Sequence, residues 1–506
     1  MSRGGRLPRP APSRRRFLQG TVVAAGAMSL GPAFWRKALS APAQPGLSTY
    51  GAMLPTPDVN GLLLPAGFTS RIVAVSGAPV ADTGFGWHPF PDGSGTFATD
   101  DGGWILVSNS ENPPPAADLP AVGAVLGGLG GASAIRFAAD GSIVDAYPVL
   151  EGSRSNCAGG TTPWGTWLSC EEWEQPSLGG LTPYDGGKVH ECDPTGARPP
   201  VVRLAMGAFK HEMAAIDPDD ERIYLSEDLP DGRFYRFTPD TWTDLSAGLL
   251  EAARVDDDGR VDWLAIADPT GATAGAPRLQ QPGSTPFNGG EGCTYDRGVV
   301  YLTTKGDDRV WAFDVAGQRI EVLYDAADFA EPVLTGVDNI VVSRQSGDII
   351  VAEDGGNLEA VIISPDLVVS PLVRLTGPQH GVDGLGPLPL VSEVSGLAFN
   401  PDGTRLYLNS QRGNVLGITY EVTGPFRGSP NDPALAPPTT APTTAPAPGT
   451  AAPATGPTRP SSGRQTIPAT GATLPTSLLG AGALAAAAAA WRARRALDQP
   501  PEDPAS

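Results

Sequence analysis

The sequence predicts an all-β chain and, within that class, a six-bladed β-propeller with loop insertions. Three observations lead there. Glycine (64 of 506 residues) and proline (53) are abundant and long helical patterns are few, so the body consists of short segments joined by many turns. Six segments share one template of a short apolar strand, a polar or acidic cluster, and a second strand after a turn. Ligand-type residues recur at a near-constant offset: Cys157 precedes Glu172 by fifteen, Glu212 precedes Glu227 by fifteen and Asp228 by sixteen, and Asp338 precedes Glu353 by fifteen. A supersecondary unit that repeats radially is the signature of propeller blades.

The N-terminus, residues 1–43, reads as a targeting segment. Ser13-Arg14-Arg15-Arg16-Phe17-Leu18 is a twin-arginine pattern, an apolar run from Thr21 to Leu30 follows it, and Ala41-Pro42-Ala43 reads as a cleavage site. That route exports proteins already folded, which suits one that loads a cofactor before leaving the cytoplasm. The body is expected over residues 44–425. Its template copies are Trp104–Asn112 with Ala132–Phe137, Trp167–Trp173 with Gly187–Asp193, Ile223–Phe237, Val300–Asp314, Ile349–Ile363 and Leu406–Tyr420. Another strand precedes most copies and opens on Cys157, Glu212, Glu291, Asn339 or Glu393. In a propeller the first strand of each blade lines the central channel. A residue at its start, and the residue about fifteen later past the hairpin, therefore meet at one rim. The converging set is Asn109, Cys157, Glu172, Glu212, Glu227 or Asp228, Glu291, Asp338 or Asn339, Glu353 or Asp354, and Glu393.

Residues 426–466 are Pro/Thr/Ala-rich without apolar periodicity and read as a disordered linker. Residues 467–506 follow with Ile467-Pro468-Ala469-Thr470-Gly471, an Ala-rich apolar run from Leu474 to Trp491, and Arg492, Arg494 and Arg495. That order resembles a Gram-positive cell-wall sorting signal, with Ile467 where leucine is usual; the alternative is a plain membrane anchor. Either places the body outside the membrane, so the protein is expected to be extracellular and held at the cell surface.

The formal charge of −20 argues against nucleic acid and anionic membranes as partners. It also requires a local cation for any anionic substrate. Half a dozen carboxylates on one channel mouth repel one another unless cations sit among them. Oxygen donors suit Ca²⁺, whereas a thiolate asks for a softer transition metal. Four cysteines (157, 170, 192 and 293) allow three full pairings, and at most one disulfide if Cys157 binds metal.

The motifs NCAGGTTPWGTWLSCEE, FKHEMAAID, YLSEDLPDGRFYRF, VDNI with VAEDG, and SEVSGLAFNPDGTRLYLNSQ, together with the twin-arginine signal, resemble the PhoX family of alkaline phosphatases. The resemblance covers about Pro65 to Thr423. It implies a secreted six-bladed propeller that carries iron (Fe³⁺) and calcium at the channel mouth and hydrolyses phosphomonoesters. By that resemblance Cys157 is the iron thiolate, and Glu212 and Glu291 are carboxylates shared by the metals; these three are the catalytic candidates. Asn109, Glu172, Asp228 and Glu393 are calcium-side ligands. The family commonly carries an arginine two residues before the glutamate matching Glu291, and here that place is Gly289. Lys210, Lys305, Arg309 and Arg412 are the basic residues near the expected rim.

The expected activity is metal-assisted hydrolysis of phosphorylated small molecules by a monomer. His88, His190, His211 and His380 lie in no nucleophile-elbow context. Rival readings are a calcium propeller acting on a lactone or phytate, which needs no Cys157, and a non-catalytic cell-surface binding propeller.

Overall fold

Each template copy folds into one blade. The computed structural model describes residues 42–112, 130–175, 185–380 and 392–435. The twin-arginine pattern, most of the linker and the sorting-signal-like tail lie outside the described residues. In chain order, the strands of blade 1 are Pro91–Ala98, Trp104–Ser110, Gly130–Phe137 and Ile143–Ser153. Blade 2 has Asn156–Thr161, Trp167–Glu171, Val189–Cys192 and Val201–Val202, and blade 3 starts with His211–Asp217 and Arg222–Glu227. Blade 4 starts with Gly290–Asp296 and Val299–Thr304, and blade 5 with Val337–Val342 and Ile349–Glu353. Blade 6 takes Val394–Phe399, Arg405–Ser410 and Ile418–Thr423 from the C-terminal end, and its outermost strand, Thr69–Val75, from the N-terminal end. That antiparallel pairing joins the two ends of the body and closes the ring. The first strands contact one another all the way round, the sixth meeting the first.

The strands read as nearly continuous apolar runs because both faces of every blade are buried. Side chains alternate between the two seams that flank a blade. On Ile349–Glu353, Ile349 and Val351 pack toward blade 4, and Ile350 and Ala352 toward blade 6. Six apolar clusters result, one in each seam. Neighbouring first strands approach so closely that glycine is required at points of contact. A Cβ on Gly93 would lie 2.3 Å from Cα of Ala158, and one on Gly292 would lie 2.6 Å from the carbonyl of Asp338.

The body reaches past the expected boundary at Pro425. Phe426 is buried, with its ring centroid 5.0 Å from that of Phe68 and 5.1 Å from that of Phe399. Arg427 pairs with the buried Asp348. Phe426 and Arg427 therefore seal the seam between blades 5 and 6, and the packed body extends past Pro425. All four cysteines are free and buried, and no disulfide forms among them.

Candidate functional site

One backbone hydrogen bond, repeated six times, sets the geometry of the channel mouth. At the end of each second strand a backbone N–H donates to the carbonyl of the residue just before the first strand. Glu111 donates to Phe90, Glu172 to Ser155, Asp228 to Lys210, Lys305 to Gly289, Asp354 to Gly336 and Gln411 to Glu393. These donors are the equivalent ring positions of blades 1 to 6. Two residues after each acceptor stand Asp92, Cys157, Glu212, Glu291, Asp338 and Ser395. In blades 1 to 5 the first strand loses register at that point, between Pro91 and Ser94, Asn156 and Gly159, His211 and Ala214, Gly290 and Cys293, and Val337 and Ile340. A bulge re-aims the side chain it contains, and all five of those side chains line one cavity. In blade 6 the shift falls later, between Ser395 and Ala398, so Ser395 stays paired and Glu393 reaches the cavity from the position just before the strand instead.

The cavity has a volume of about 620 Å³. Ten carboxylates line it, against three cationic side chains, Lys210, Lys305 and Arg412. Three carboxylate clusters have oxygens within 4.8 Å of one another: Asp92, Glu111 and Glu393; Glu172, Glu212 and Asp228; and Asp338, Asp354 and Glu393. Each cluster carries one internal cation. Lys210 Nζ lies 2.8 Å from Glu172 and 3.6 Å from Asp228. Lys305 Nζ pairs with Glu291 and lies 3.5 Å from Asp354 and 3.7 Å from Asp338. Arg412 Nη1 donates to Glu393 at 2.7 Å. Burial, then mutual repulsion, pushes Asp92, Glu212 and Glu291 well above the ordinary carboxylate range; burial does the same to Glu393, where Arg412 opposes it. Burial, then Glu212, Glu172 and Asp92, also pushes the Cys157 thiol up. The Cys157 Sγ lies 3.0 Å from the carbonyl of His211, to which the thiol donates.

Of the residues expected from sequence, Cys157, Glu172, Glu212, Asp228, Glu291 and Glu393 meet at this cavity. Asn109 does not. Its Oδ1 accepts from Trp167 Nε1 and Ser169 Oγ, both at 2.9 Å, and its amide donates to the Ala158 carbonyl at 2.6 Å. It ties blade 1 to blade 2, and the ring position of blade 1 belongs to Glu111. The acidic doublets divide their labour. Glu171 accepts from the N–H of Arg154 and Lys188, Glu227 from that of Arg233, and Glu353 from those of Thr335 and Glu359. These are internal staples, while Glu172, Asp228 and Asp354 face the cavity. Asn339 donates to Asp338 and accepts from the Gly396 N–H, so Asp338 is the cavity residue of that pair. Arg309 turns away to Asp307 and Asp325.

The sequence reading passed over Asp92 and Glu111. Glu111 had a signal: aligning Leu106–Glu111 with Ile223–Asp228 sets it opposite Asp228, whereas starting the copy at Trp104 slips the frame by two residues. Asp92 opens a glycine-rich strand, PDGSGTFA, whose apolar pattern is too weak to read as a first strand.

No curated protein matches the chain. A family model described as alkaline phosphatase PhoX matches part of it. Residues 124–321 match PhoX. The match runs from blade 1 into blade 4 and takes in Cys157, Glu172, Glu212, Asp228 and Glu291. Among solved structures, PhoX of Pseudomonas fluorescens, in complex with the transition-state analogue vanadate, is 17% identical with a TM-score of 0.58. The alignment covers 74% of this chain and 97% of that one. The two share the six-bladed propeller, and the resemblance drawn from the motifs holds. More remote are a gluconolactonase of Xanthomonas campestris (12% identity, TM-score 0.39, 76% and 95% covered) and a calcium-binding regucalcin of Agrobacterium tumefaciens (13%, 0.38, 72% and 97%).

The staples give the PhoX-like body a pH dependence. Burial raises Glu227 to about 7 and Glu353 to about 8. A carboxyl raised on folding contributes stability that is complete below its unfolded pKa and is lost as pH rises through its folded pKa. Burial lowers His88 and His211 to about 3, so their contribution is present above about 6.5 and lost as pH falls. In chelator, thermal melts are expected to show greatest stability near pH 5–6 and a fall toward pH 9. From that maximum each glutamate contributes on the order of 2–3 kcal/mol to the fall. Calcium binds the cavity carboxylates only as they ionise, so it is expected to raise stability more on the alkaline arm than on the acid one, and an equal lift at every pH would contradict this.

Proposed function

We propose that the chain is an exported, metal-dependent phosphomonoester hydrolase of the PhoX kind, with iron and calcium in the cavity at the propeller mouth. The carrying observation is the charge imbalance: ten buried or half-buried carboxylates, gathered by a six-fold backbone repeat, against three internal cations. Buried like charges at this density call for further positive charge. The donor set fits the expected ions. Oxygen donors dominate, as calcium requires, and Cys157 is the one soft donor on the wall, as iron would use. Asp92 Oδ1 is buried without a hydrogen-bond partner, a valence that a cation satisfies.

Bound ions would supply Lewis acidity, offsetting charge on the phosphoryl oxygens and acidifying water. The chain's own residues do the rest. Gly289 stands at φ +66°, and a Cβ there would lie 3.1 Å from the Gly306 nitrogen and 3.3 Å from an Asp228 oxygen, so a long side chain is disfavoured where the family commonly has arginine. Arg412 takes over that role. Its planar guanidinium is permanently charged, matches two phosphoryl oxygens, and is oriented by Glu393. Lys210 and Lys305 add positive charge on the facing wall. Phosphoryl transfer asks mainly for such positioning and charge stabilisation.

Purified full-length protein is expected to contain iron and calcium by elemental analysis, to absorb visible light, and to hydrolyse p-nitrophenyl phosphate until chelated. A fully metal-loaded protein without phosphomonoesterase activity would refute the reading. Export is expected to depend on Arg14 and Arg15. Unchanged surface activity after replacing both by lysine would remove the twin-arginine part of the proposal.

A further inference from the structure

The cavity's single guanidinium among the described residues is held from behind by a buried polar relay. Arg412 N–H donates to Ser392 Oγ at 3.0 Å. Ser392 Oγ lies 2.9 Å from Ser410 Oγ, which lies 2.8 Å from His380 Nδ1. Tyr420 OH is 3.5 Å from the other ring nitrogen, Nε2. All four members beneath Arg412 are at most 1% exposed. The His380 carbonyl also accepts from the N–H of Ser392, so the same residue grips Ser392 through both backbone and ring. None of His380, Ser392, Ser410 and Tyr420 lines the cavity.

We propose that His380 is a positioning residue for substrate phosphate: through Ser410 and Ser392 it fixes the backbone on which Arg412 and Glu393 stand. This rests on the phosphatase reading above. The direction proposed for the relay runs from Arg412 to the ring. Arg412 N–H can only donate, so Ser392 Oγ accepts from it; the Ser392 proton has two acceptors in reach, the Glu393 carbonyl at 3.3 Å and Ser410 Oγ at 2.9 Å, and the relay uses the shorter. Ser410 then donates to Nδ1, and the ring carries its proton on Nε2, toward Tyr420. Burial lowers His380 to about 4, so the ring is neutral wherever a phosphatase would work and keeps an acceptor at Nδ1. Ser392 immediately precedes Glu393 in the chain, so the relay anchors both partners of the 2.7 Å ion pair that aims the guanidinium. A displacement of about 1 Å in such a group can cost about 10²-fold.

The test uses the full-length, metal-loaded chain and two readouts: calorimetric binding of inorganic phosphate, and the split between kcat and KM for p-nitrophenyl phosphate. His380→Leu is expected to weaken phosphate binding and raise KM about tenfold while leaving iron content near wild type, since the relay touches no residue of the Cys157 side. His380→Asn, whose side-chain oxygen reaches the place of Nδ1, is expected to restore both. Ser410→Ala cuts the same relay at a small residue and serves if His380→Leu does not fold. Combined with Arg412→Lys, either cut is expected to add no further loss, because it acts through Arg412. Wild-type phosphate affinity in both His380→Leu and Ser410→Ala, or losses that add to those of Arg412→Lys, would overturn the inference alone. A wild-type protein that neither binds phosphate nor hydrolyses the ester would overturn the phosphatase reading and this inference together.

Discussion

Cys157→Ser is expected to strip the protein of iron and to lower phosphomonoester hydrolysis by at least about 10²-fold, since even residues that merely orient metal ligands cost 10–100-fold. The exchange is nearly isosteric. Cys157 sits within the bulge of its strand, its Sγ donates to the His211 carbonyl and, at 3.8 Å, the Cys170 carbonyl, and a serine hydroxyl can donate there as well. Fold and calcium content should therefore persist. The thiol is pushed up by burial and by Glu212, Glu172 and Asp92, so it yields its proton only to a cation placed against it. Iron content and the visible absorption band are the readouts that separate a ligand from a packing residue. A serine variant with full iron and full activity would show Cys157 to be a packing residue.

Glu393→Gln is expected to have the second large effect, on calcium rather than on iron. Glu393 is the one carboxylate shared by two of the three clusters, with Asp92 and Glu111 on one side and Asp338 and Asp354 on the other. Each calcium site contributes about 2.7 kcal/mol of stability at a free concentration one hundred times its Kd. Loss of the shared oxygens weakens two sites at once, so the calcium-induced rise in melting temperature should shrink by more than half. Arg412 also loses its charged partner and with it the orientation of its guanidinium, so phosphate binding should weaken in parallel. Melting curves with calcium and with chelator provide the check. An unchanged calcium increment would remove Glu393 from the metal site.

The amino-acid sequence by itself determined the architecture and most of the ring. Strand pattern is a local property: every second strand is buried on both faces, so copies such as Ile223–Phe237 and Ile349–Ile363 stand out as apolar runs punctuated by turns. The same repetition brought Cys157, Glu172, Glu212, Asp228, Glu291 and Glu393 to one mouth, because equivalent places on equivalent blades share a rim. What only the tertiary structure decided is phase. A side chain on a strand changes face with every residue, so a slip of one separates a staple such as Glu227 or Glu353 from a cavity carboxylate such as Asp228 or Asp354. Hairpin length varies between blades. The offset between the two ring positions is nineteen from Asp92 to Glu111, fifteen from Cys157 to Glu172 and fourteen from Glu291 to Lys305, and no fixed spacing finds them all. A bulge placed identically in five blades, and later in the sixth, chooses which side chain turns inward. The relay from His380 to Arg412 joins residues whose side chains meet only because Ser410 ends one strand beside the turn that carries His380, and nothing periodic in the chain announces it.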